Sequence, residues 1–188
     1  MVCPLNWGLG HATRCIPIIK ELQLQGAEVV IAGEGGSLKL LKEEFPNLTF
    51  IYMPGYDIFY PKNMGMSKSI ALSTPKLFYK IYKEHIALKR LMKKWKFDVV
   101  ISDNRYGLWN RQAKSIFITH QLQVKSTKRM QFLEPLLFKV SSYFISKYDL
   151  CWVPDFEGSD NLSGDLSHEK TLPNVRFIGP ISRFADMK

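Results

Sequence analysis

The chain contains few cysteines and few acidic residues, and it lacks long apolar runs. Its three cysteines, Cys3, Cys15 and Cys151, lie far apart and have neither a disulfide nor a zinc-site spacing. We therefore expect the buried, reduced thiols of a cytosolic protein. No apolar run approaches the roughly 18 residues that a membrane-spanning helix requires. The N-terminus has no charged segment followed by an apolar one, so the sequence predicts no secretory signal.

Motifs for metal and covalent chemistry are also missing. The sequence contains no HExxH, no GxSxG, no phosphate-binding P-loop and no Cys/His cluster. These absences exclude the common zinc-protease, serine-hydrolase and P-loop nucleotidase classes. We expect no metal site.

Acidic residues are scarcest where the basic residues concentrate. Residues 62–96 contain ten Lys and Arg residues against Glu84 alone, and the resulting charge of +9 equals the net charge of the whole chain. A helix is predicted at about 67–95. At 100° per residue one narrow face of it carries Lys76, Lys80, Lys83, Arg90 and Lys94. This face is either the solvated side of an ordinary amphipathic helix or a surface that faces an anionic membrane. Nucleic acid is a poorer partner because no nucleic-acid-binding motif accompanies the charge.

Short β-rich runs alternate with helical patterns along the chain. Strands are predicted at Val2–Leu5, Glu28–Ala32, Leu48–Met53, Phe97–Ser102, Ser115–Thr119, Asp149–Val153 and Val175–Ile178, and helices at about 12–25, 36–45, 67–95 and 129–147. Continuous apolar strands indicate burial on both faces of a parallel sheet. The alternation predicts an α/β fold, a Rossmann-like doubly wound parallel sheet that binds its ligands at the carboxyl ends of the strands.

The junction between the first strand and the first helix reads Gly8-Leu9-Gly10-His11-Ala12-Thr13-Arg14. Glycines allow a tight turn here, and the N-terminus of the following helix offers free N–H groups to an anion. His11 carries an imidazole, a group suited to proton transfer, and Arg14 lies one helical turn further on. Pro17 is expected in the opening turn of this helix and Gly26 at its C-terminal end. The junction therefore predicts a site that holds an oxyanionic ligand beside a proton acceptor.

Further polar residues follow two other strands. Asp103, Asn104 and Arg105 come after the strand at 97–102, and His120 and Gln121 follow the strand at 115–119. Because the carboxyl ends of parallel strands share one edge, we expect these residues beside the first loop.

We expect His11 to pair with Asp103. A carboxylate on one ring nitrogen would leave the other nitrogen free to deprotonate a hydroxyl. The other interpretation of Asp103 is a helix cap, and the two are compatible. His120 and Gln121 either hydrogen-bond a sugar or pyrophosphate or satisfy loop backbone groups.

These motifs, together with the closing Phe177-Ile178-Gly179-Pro180, resemble the N-terminal half of GT-B glycosyltransferases, and most nearly glycosyltransferase family 28. The resemblance implies one half of a GT-B architecture. Residues 1–180 would be the acceptor-side Rossmann-like domain, and 181–188 would begin the linker to a C-terminal donor-binding domain that is absent from the chain. It also implies catalysis without a metal or other cofactor, a nucleotide sugar (UDP-linked) as co-substrate, and little turnover by this half alone.

The resemblance also implies roles for individual residues. His11 matches the loop histidine that acts as base or ligand contact, and Asp103 matches the carboxylate that supports it. Gly8 and Gly10 match glycines that admit a diphosphate. His120 and Gln121 resemble a tract that contacts the acceptor. Arg14, Asn104 and Arg105 complete the predicted substrate-binding set.

The spelling Gly-x-Gly-His-x-x-Arg is also similar to nucleotide-sugar hydrolases of pseudaminic acid synthesis, which share the fold. A hydrolase is therefore one alternative, and a non-catalytic sugar- or anion-binding module is another. The basic helix favours a transferase with a lipid-linked hydroxyl acceptor in the cell envelope. We expect such an enzyme in the cytoplasm, peripheral on the inner face of the membrane.

Overall fold

The computed structural model describes residues 1–55, 66–125 and 128–183, with side chains left undescribed at 66–74 and 128–130. Within these residues seven strands form one parallel sheet in the order β3-β2-β1-β4-β5-β6-β7. The strands are β1 Val2–Pro4, β2 Val30–Gly33, β3 Thr49–Tyr52, β4 Val99–Asp103, β5 Lys114–Ile118, β6 Leu150–Val153 and β7 Val175–Phe177. The helices are α1 Gly10–Leu24, α2 Gly35–Glu44, α3 Met66–Lys94, α4 Glu134–Ile145 and α5 Asp165–His168, and a 3₁₀ helix, Lys128–Leu133, precedes α4. The predicted doubly wound α/β fold is confirmed.

Helices cover both faces of the sheet. On one face α1 and α2 pack against alternate strand residues, such as Ile116 and Ile118 of β5. On the other face α3 packs with Cys3 and Val100, and α4 packs with Phe117. Each central strand therefore contributes residues to both layers, which explains its continuous apolar sequence.

The three cysteines are buried and unpaired, as expected. Burial raises the pKa of the Cys3 thiol to about 12, and the neighbouring charges have a smaller effect on this pKa than burial has. Burial also raises the pKa of Cys151 to about 12. These thiols are packing residues with little thiolate character at neutral pH.

The C-terminal end of α1 agrees with the prediction, whereas its N-terminal end does not. Gly26 has φ +79°, and the Gly26 and Ala27 amides donate to the Gln23 and Leu22 carbonyls, which is a Schellman ending. Because the helix already begins at Gly10, Pro17 lies about two turns inside it and not in its opening turn. Pro17 is half-buried there.

Two other elements differ from the prediction. The helix predicted at 129–147 is divided into the 3₁₀ helix and α4, which begins at Glu134 with Pro135 in its first turn. The polar segment after β6 contains α5, a single helical turn that the sequence pattern did not reveal. In the part of the chain that the structure describes, no helix is both long enough and apolar enough to cross a bilayer.

Candidate functional site

The loop between β1 and α1 lies at the carboxyl edge of the sheet. Gly8 has φ +74°, a left-handed conformation that L side chains rarely adopt, so the turn requires glycine. A Cβ atom added at Gly10 would have no atom within 4 Å, so Gly10 borders open space. Trp7 and Leu9 are 53% and 54% exposed. The loop therefore presents both backbone and apolar side chains to solvent.

His11 and Asp103 meet at this edge although they lie 92 residues apart in the sequence. His11 Nδ1 is 3.0 Å from Asp103 Oδ1. The Asp103 side chain is fully buried, whereas the His11 side chain is 12% exposed. Asp103 ends β4, no helix begins there, and the cap interpretation of Asp103 is therefore wrong. The expected contact is present, and its geometry allows a carboxylate to orient an imidazole whose other nitrogen takes a proton.

We call the polar side chains at this edge of the sheet, His11, Asp103 and His120, with the space beside them, the crevice. Arg14 contacts all three of these side chains. Its Nε lies 3.1 Å from Asp103 Oδ2, and its Nη2 donates to Asp103 Oδ1 in a two-point contact. Nη1 lies 3.2 Å from His120 Nδ1, and Nη2 lies 3.1 Å from His11 Nδ1. The Arg14 side chain is only 13% exposed. Its guanidinium is therefore occupied by neighbouring side chains. The sequence predicted that Arg14 binds an anionic ligand, and it did not predict these contacts.

The remaining residues predicted after β4 and β5 lie at the same edge, with one exception treated below. Asn104 has φ +57°, a turn conformation that asparagine tolerates, and its Oδ1 is 3.5 Å from Thr119 Oγ1. The backbone N–H of Gln121 donates to Thr119 Oγ1. His120 is exposed, and Gln121 is half-buried. The crevice thus contains several of the side chains that the sequence assigned to it.

Arg105 is the exception, and its placement argues against the substrate contact expected for it. It is 1% exposed, and its Nε donates to Glu84 Oε1 of α3 at 2.6 Å. Its Nη2 donates to the Pro54 carbonyl at 2.7 Å. The left-handed Asn104 breaks the alternation of β4, so Asp103 faces α1 while Arg105 faces α3. Arg105 instead ties α3 to the segment that follows β3.

Sequence reasoning missed two supports of the site. Cys15 Sγ lies 3.8 Å from Asp103 Oδ2, at a fully buried position. Asn6 Oδ1 accepts from the Ser37 amide at 3.2 Å, and Ser37 Oγ donates to the Leu5 carbonyl. The Asn6 contact joins the first loop to the start of α2. Cys15 follows His11 by about one helical turn, and this spacing could have indicated its contact with Asp103. No local pattern indicated the contact between Asn6 and Ser37.

A cleft of about 450 Å³ opens beside the start of α1. It is lined by Gly10, Thr13, Arg14 and the segment Ile181-Ser182-Arg183. The crevice therefore continues toward the C-terminal end of the described residues. None of the described residues form a group of three or more His, Cys, Asp or Glu side chains that could hold a metal ion.

The basic residues of α3 lie outside this crevice. Lys76, Lys83, Arg90 and Lys94 are exposed, and Lys80 is half-buried. The single acidic residue of the basic segment, Glu84, is 3% exposed and pairs with Arg105. Lys62 and the Lys68 side chain lie outside the described residues.

The structure shows a Rossmann-like, doubly wound sheet with an imidazole–carboxylate pair at its carboxyl edge, and its structural neighbours are GT-B glycosyltransferases. The family model described as Glycosyl transferase family 1 matches residues 6–147, and the chain belongs to that family. The nearer resemblance to family 28 and the similarity to nucleotide-sugar hydrolases are not confirmed.

One curated protein is similar to the chain in sequence, and two solved structures are similar to it in fold. An uncharacterized glycosyltransferase of Methanosarcina acetivorans is 27% identical over 195 residues, which cover 94% of this chain and 47% of that protein. The spinosyn rhamnosyltransferase SpnG is similar in fold, with a TM-score of 0.51, both alone (18% identity) and with spinosyn aglycone (17% identity). Each SpnG match covers 81% of this chain and 44% of the other. The chain thus spans about half the length of these relatives.

Proposed function

We propose that the chain is the acceptor-binding half of a glycosyltransferase that moves a sugar from a UDP-linked donor to a hydroxyl of a lipid-linked acceptor without a metal ion. His11 is the base, and Asp103 orients it. The observation that carries this proposal is the 3.0 Å contact between His11 Nδ1 and Asp103 Oδ1 at the crevice. The family to which the chain belongs supplies the reaction class.

The proposed chemistry is proton transfer coupled to displacement. The His11 imidazole takes the proton of the acceptor hydroxyl, whose oxygen attacks the anomeric carbon of the donor. The bond from that carbon to the phosphate oxygen breaks, and its electron pair leaves with the nucleotide diphosphate. Asp103 stabilises the resulting imidazolium. Proton transfer to a positioned base such as His11 contributes roughly 10²–10⁴-fold to the rate.

Substrate binding is assigned to residues around this pair. Gly8 and Gly10 admit the diphosphate, and Asn104, His120 and Gln121 contact sugar or phosphate oxygens. Gly10 supports the first assignment because it borders open space at the N-terminus of α1. The donor is expected to contact a second, C-terminal domain as well.

A membrane surface is proposed on α3. Support comes from its exposed cations and from Tyr79 and Tyr82, which are 59% and 61% exposed. The Lys83 Nζ lies 5.3 Å from the centre of the Tyr79 ring. Basic side chains beside exposed aromatic rings suit the headgroup region of an anionic bilayer. The enzyme would then work at the cytoplasmic face of the membrane that holds its acceptor.

The reaction is tested with the full-length gene product and a panel of UDP-sugars, with and without a lipid extract. We compare the unchanged protein with His11→Ala and with Lys20→Met, a control that removes an exposed cation from the same helix. Nucleotide release that requires both lipid and His11 supports the proposal. Release without any acceptor indicates the hydrolase, and tight binding without release indicates a binding module.

The membrane surface is tested by sedimentation with phosphatidylserine or phosphatidylcholine vesicles. Changing Lys76, Lys83 and Lys94 to serine should weaken binding to the anionic vesicles by roughly 100-fold, at about 1 kcal/mol for each lysine. The control changes Lys20, Lys39 and Lys42, which are exposed on α1 and α2, to serine. Equal losses in both triple variants would contradict a surface specific to α3.

A further inference from the structure

The two histidines of the crevice meet partners of opposite hydrogen-bonding character. His11 Nδ1 lies 3.0 Å from a carboxylate oxygen of Asp103. His120 Nδ1 lies 3.2 Å from Nη1 of Arg14. An ionised carboxylate can only accept a hydrogen bond, and a guanidinium can only donate one. The partners therefore select different tautomers for the two rings.

The carboxylate selects the tautomer of His11. A proton on Nδ1 satisfies the contact with Asp103 and leaves Nε2 as a free acceptor. Arg14 Nη2 is also 3.1 Å from Nδ1 and carries two hydrogens, one of which is donated to Asp103 Oδ1. A bond from its other hydrogen to Nδ1 would leave the contact between Nδ1 and the carboxylate without a proton. If Nδ1 were unprotonated, two acceptors would face each other at 3.0 Å beside a fully buried carboxylate. His11 is therefore the ring suited to take a proton at Nε2.

The guanidinium selects the other tautomer for His120. Nδ1 accepts from Arg14, so the single proton of a neutral ring lies on Nε2. Burial, and then the charges of Arg14 and His11, lower the pKa of His120. The carboxylate of Asp103 acts weakly in the opposite direction. No described residue hydrogen-bonds Nε2 of either ring, and His120 is exposed.

We propose that His120 is a fixed hydrogen-bond donor, which Arg14 holds as the Nε2–H tautomer so that it binds an oxygen atom of the substrate while His11 accepts the proton. Arg14 is then a positioning residue that sets the roles of both rings. The identity of the substrate rests on the function proposed above. The oxygen belongs either to the donor phosphate or to the acceptor next to the reacting hydroxyl.

The division of roles explains why two histidines can work side by side. When the acceptor hydroxyl loses its proton, the proton goes to His11 Nε2, and the imidazolium faces Asp103. His120 stays neutral because the positive guanidinium opposes a second proton nearby. It can therefore donate from Nε2 before, during and after the transfer.

The tautomers are measured by ¹⁵N NMR of the histidine-labelled full-length protein, with signals assigned from His11→Asn and His120→Gln variants. His120 should show a protonated Nε2 and an unprotonated Nδ1, and neutral His11 should show the reverse. Arg14→Met should remove the preference of His120 for the Nε2–H tautomer, whereas the control Lys20→Met should leave that tautomer unchanged. A protonated Nδ1 on His120, or an unchanged tautomer in Arg14→Met, would overturn the inference. This measurement needs no turnover, so it fails or succeeds independently of the proposed reaction.

Kinetics test the use of the His120 proton. Glutamine places an amide donor near the position of Nε2, so His120→Gln should keep kcat/KM within about fivefold, whereas His120→Phe should lose about 10- to 100-fold. A rise in the donor KM assigns the oxygen to phosphate, and a rise in the acceptor KM assigns it to the acceptor. Equal activity of the Phe and Gln variants would overturn the inference.

Discussion

Two arginine–carboxylate contacts lie two residues apart at the end of β4, and they differ in what surrounds them. In the crevice Asp103 is shared by Arg14 and His11, whose side chains are 13% and 12% exposed. On the opposite face of the sheet Arg105 and Glu84 contact each other at 1% and 2% side-chain exposure. The open contact keeps a titratable ring within reach of a ligand. The sealed contact holds α3 against the sheet and the segment after β3. Under the proposed function, similar chemistry would serve a reaction in one place and the fold in the other.

The largest expected effect is loss of turnover on removal of the His11 imidazole. His11→Ala should lower kcat/KM by roughly 10²–10⁴-fold, because no other described group is placed to accept the acceptor proton beside Asp103. Steady-state kinetics of the full-length protein measure this change, and thermal unfolding should change little because Arg14 still donates to Asp103 in the variant. Retention of activity would show that the open contact has no catalytic role.

The sealed contact should respond in the opposite way. Glu84→Ala should lower the free energy of unfolding by about 3–5 kcal/mol, because it removes the carboxylate that faces the buried Arg105 charge. Urea unfolding measures the loss.

The control for this prediction is the double change Glu84→Met with Arg105→Leu, which removes both charges and keeps most of the volume. It should recover much of the stability. If Glu84→Ala were neutral, the ion pair would not hold α3 in place.

A third carboxylate sharpens the comparison. Asp155, after β6, is 1% exposed and accepts from Ser163 Oγ and from the Leu162 and Ser163 amides at 2.9 and 2.8 Å. Burial alone would raise the pKa of Asp155, but these hydrogen bonds and that of the Phe156 amide outweigh it and lower the pKa to about 2. Like Glu84, this carboxylate serves the fold.

The sign of its pH dependence follows from the lowered pKa. The stabilisation is complete above the ordinary value of 3.8 and is lost as the pH falls toward 2. Asp155→Asn should lower stability at pH 7 by about 1–3 kcal/mol and should flatten the acid side of the stability curve. Denaturation measured from pH 7 to pH 2 tests this, and an unchanged acid slope would contradict it.

The smallest expected effects are those of changing Gly8 or Gly10 of the open site to alanine, and they differ between the two positions. Gly8→Ala should cost about 1 kcal/mol of stability because of the left-handed conformation of Gly8. Gly10→Ala should leave stability unchanged, since its Cβ would enter open space, but should weaken nucleotide-sugar binding if the ligand approaches the backbone there. Thermal unfolding and calorimetric titration give the two readouts. Unaltered binding by Gly10→Ala would remove the predicted ligand contact at that residue.

The sequence predicted the sheet and the contact of His11 with Asp103 because both follow from periodicity and from the common edge of parallel strands. The partners of Arg14 and the burial of Arg105 could not be predicted in the same way. They depend on the direction of the chain after Asn104, where one left-handed residue changes the face to which the next side chain points. Glu84 was nevertheless a usable signal, as a single acid in a strongly basic helix.

The central claim is that His11 and Asp103 act as one unit in the open contact. A double-mutant cycle of kcat/KM with His11→Ala, Asp103→Asn and the combined variant tests it in the full-length protein. The account predicts that the combined variant is about as slow as His11→Ala alone, because Asp103 acts through the imidazole. Losses that multiply in the combined variant, or an Asp103→Asn variant as active as the unchanged protein, would contradict it.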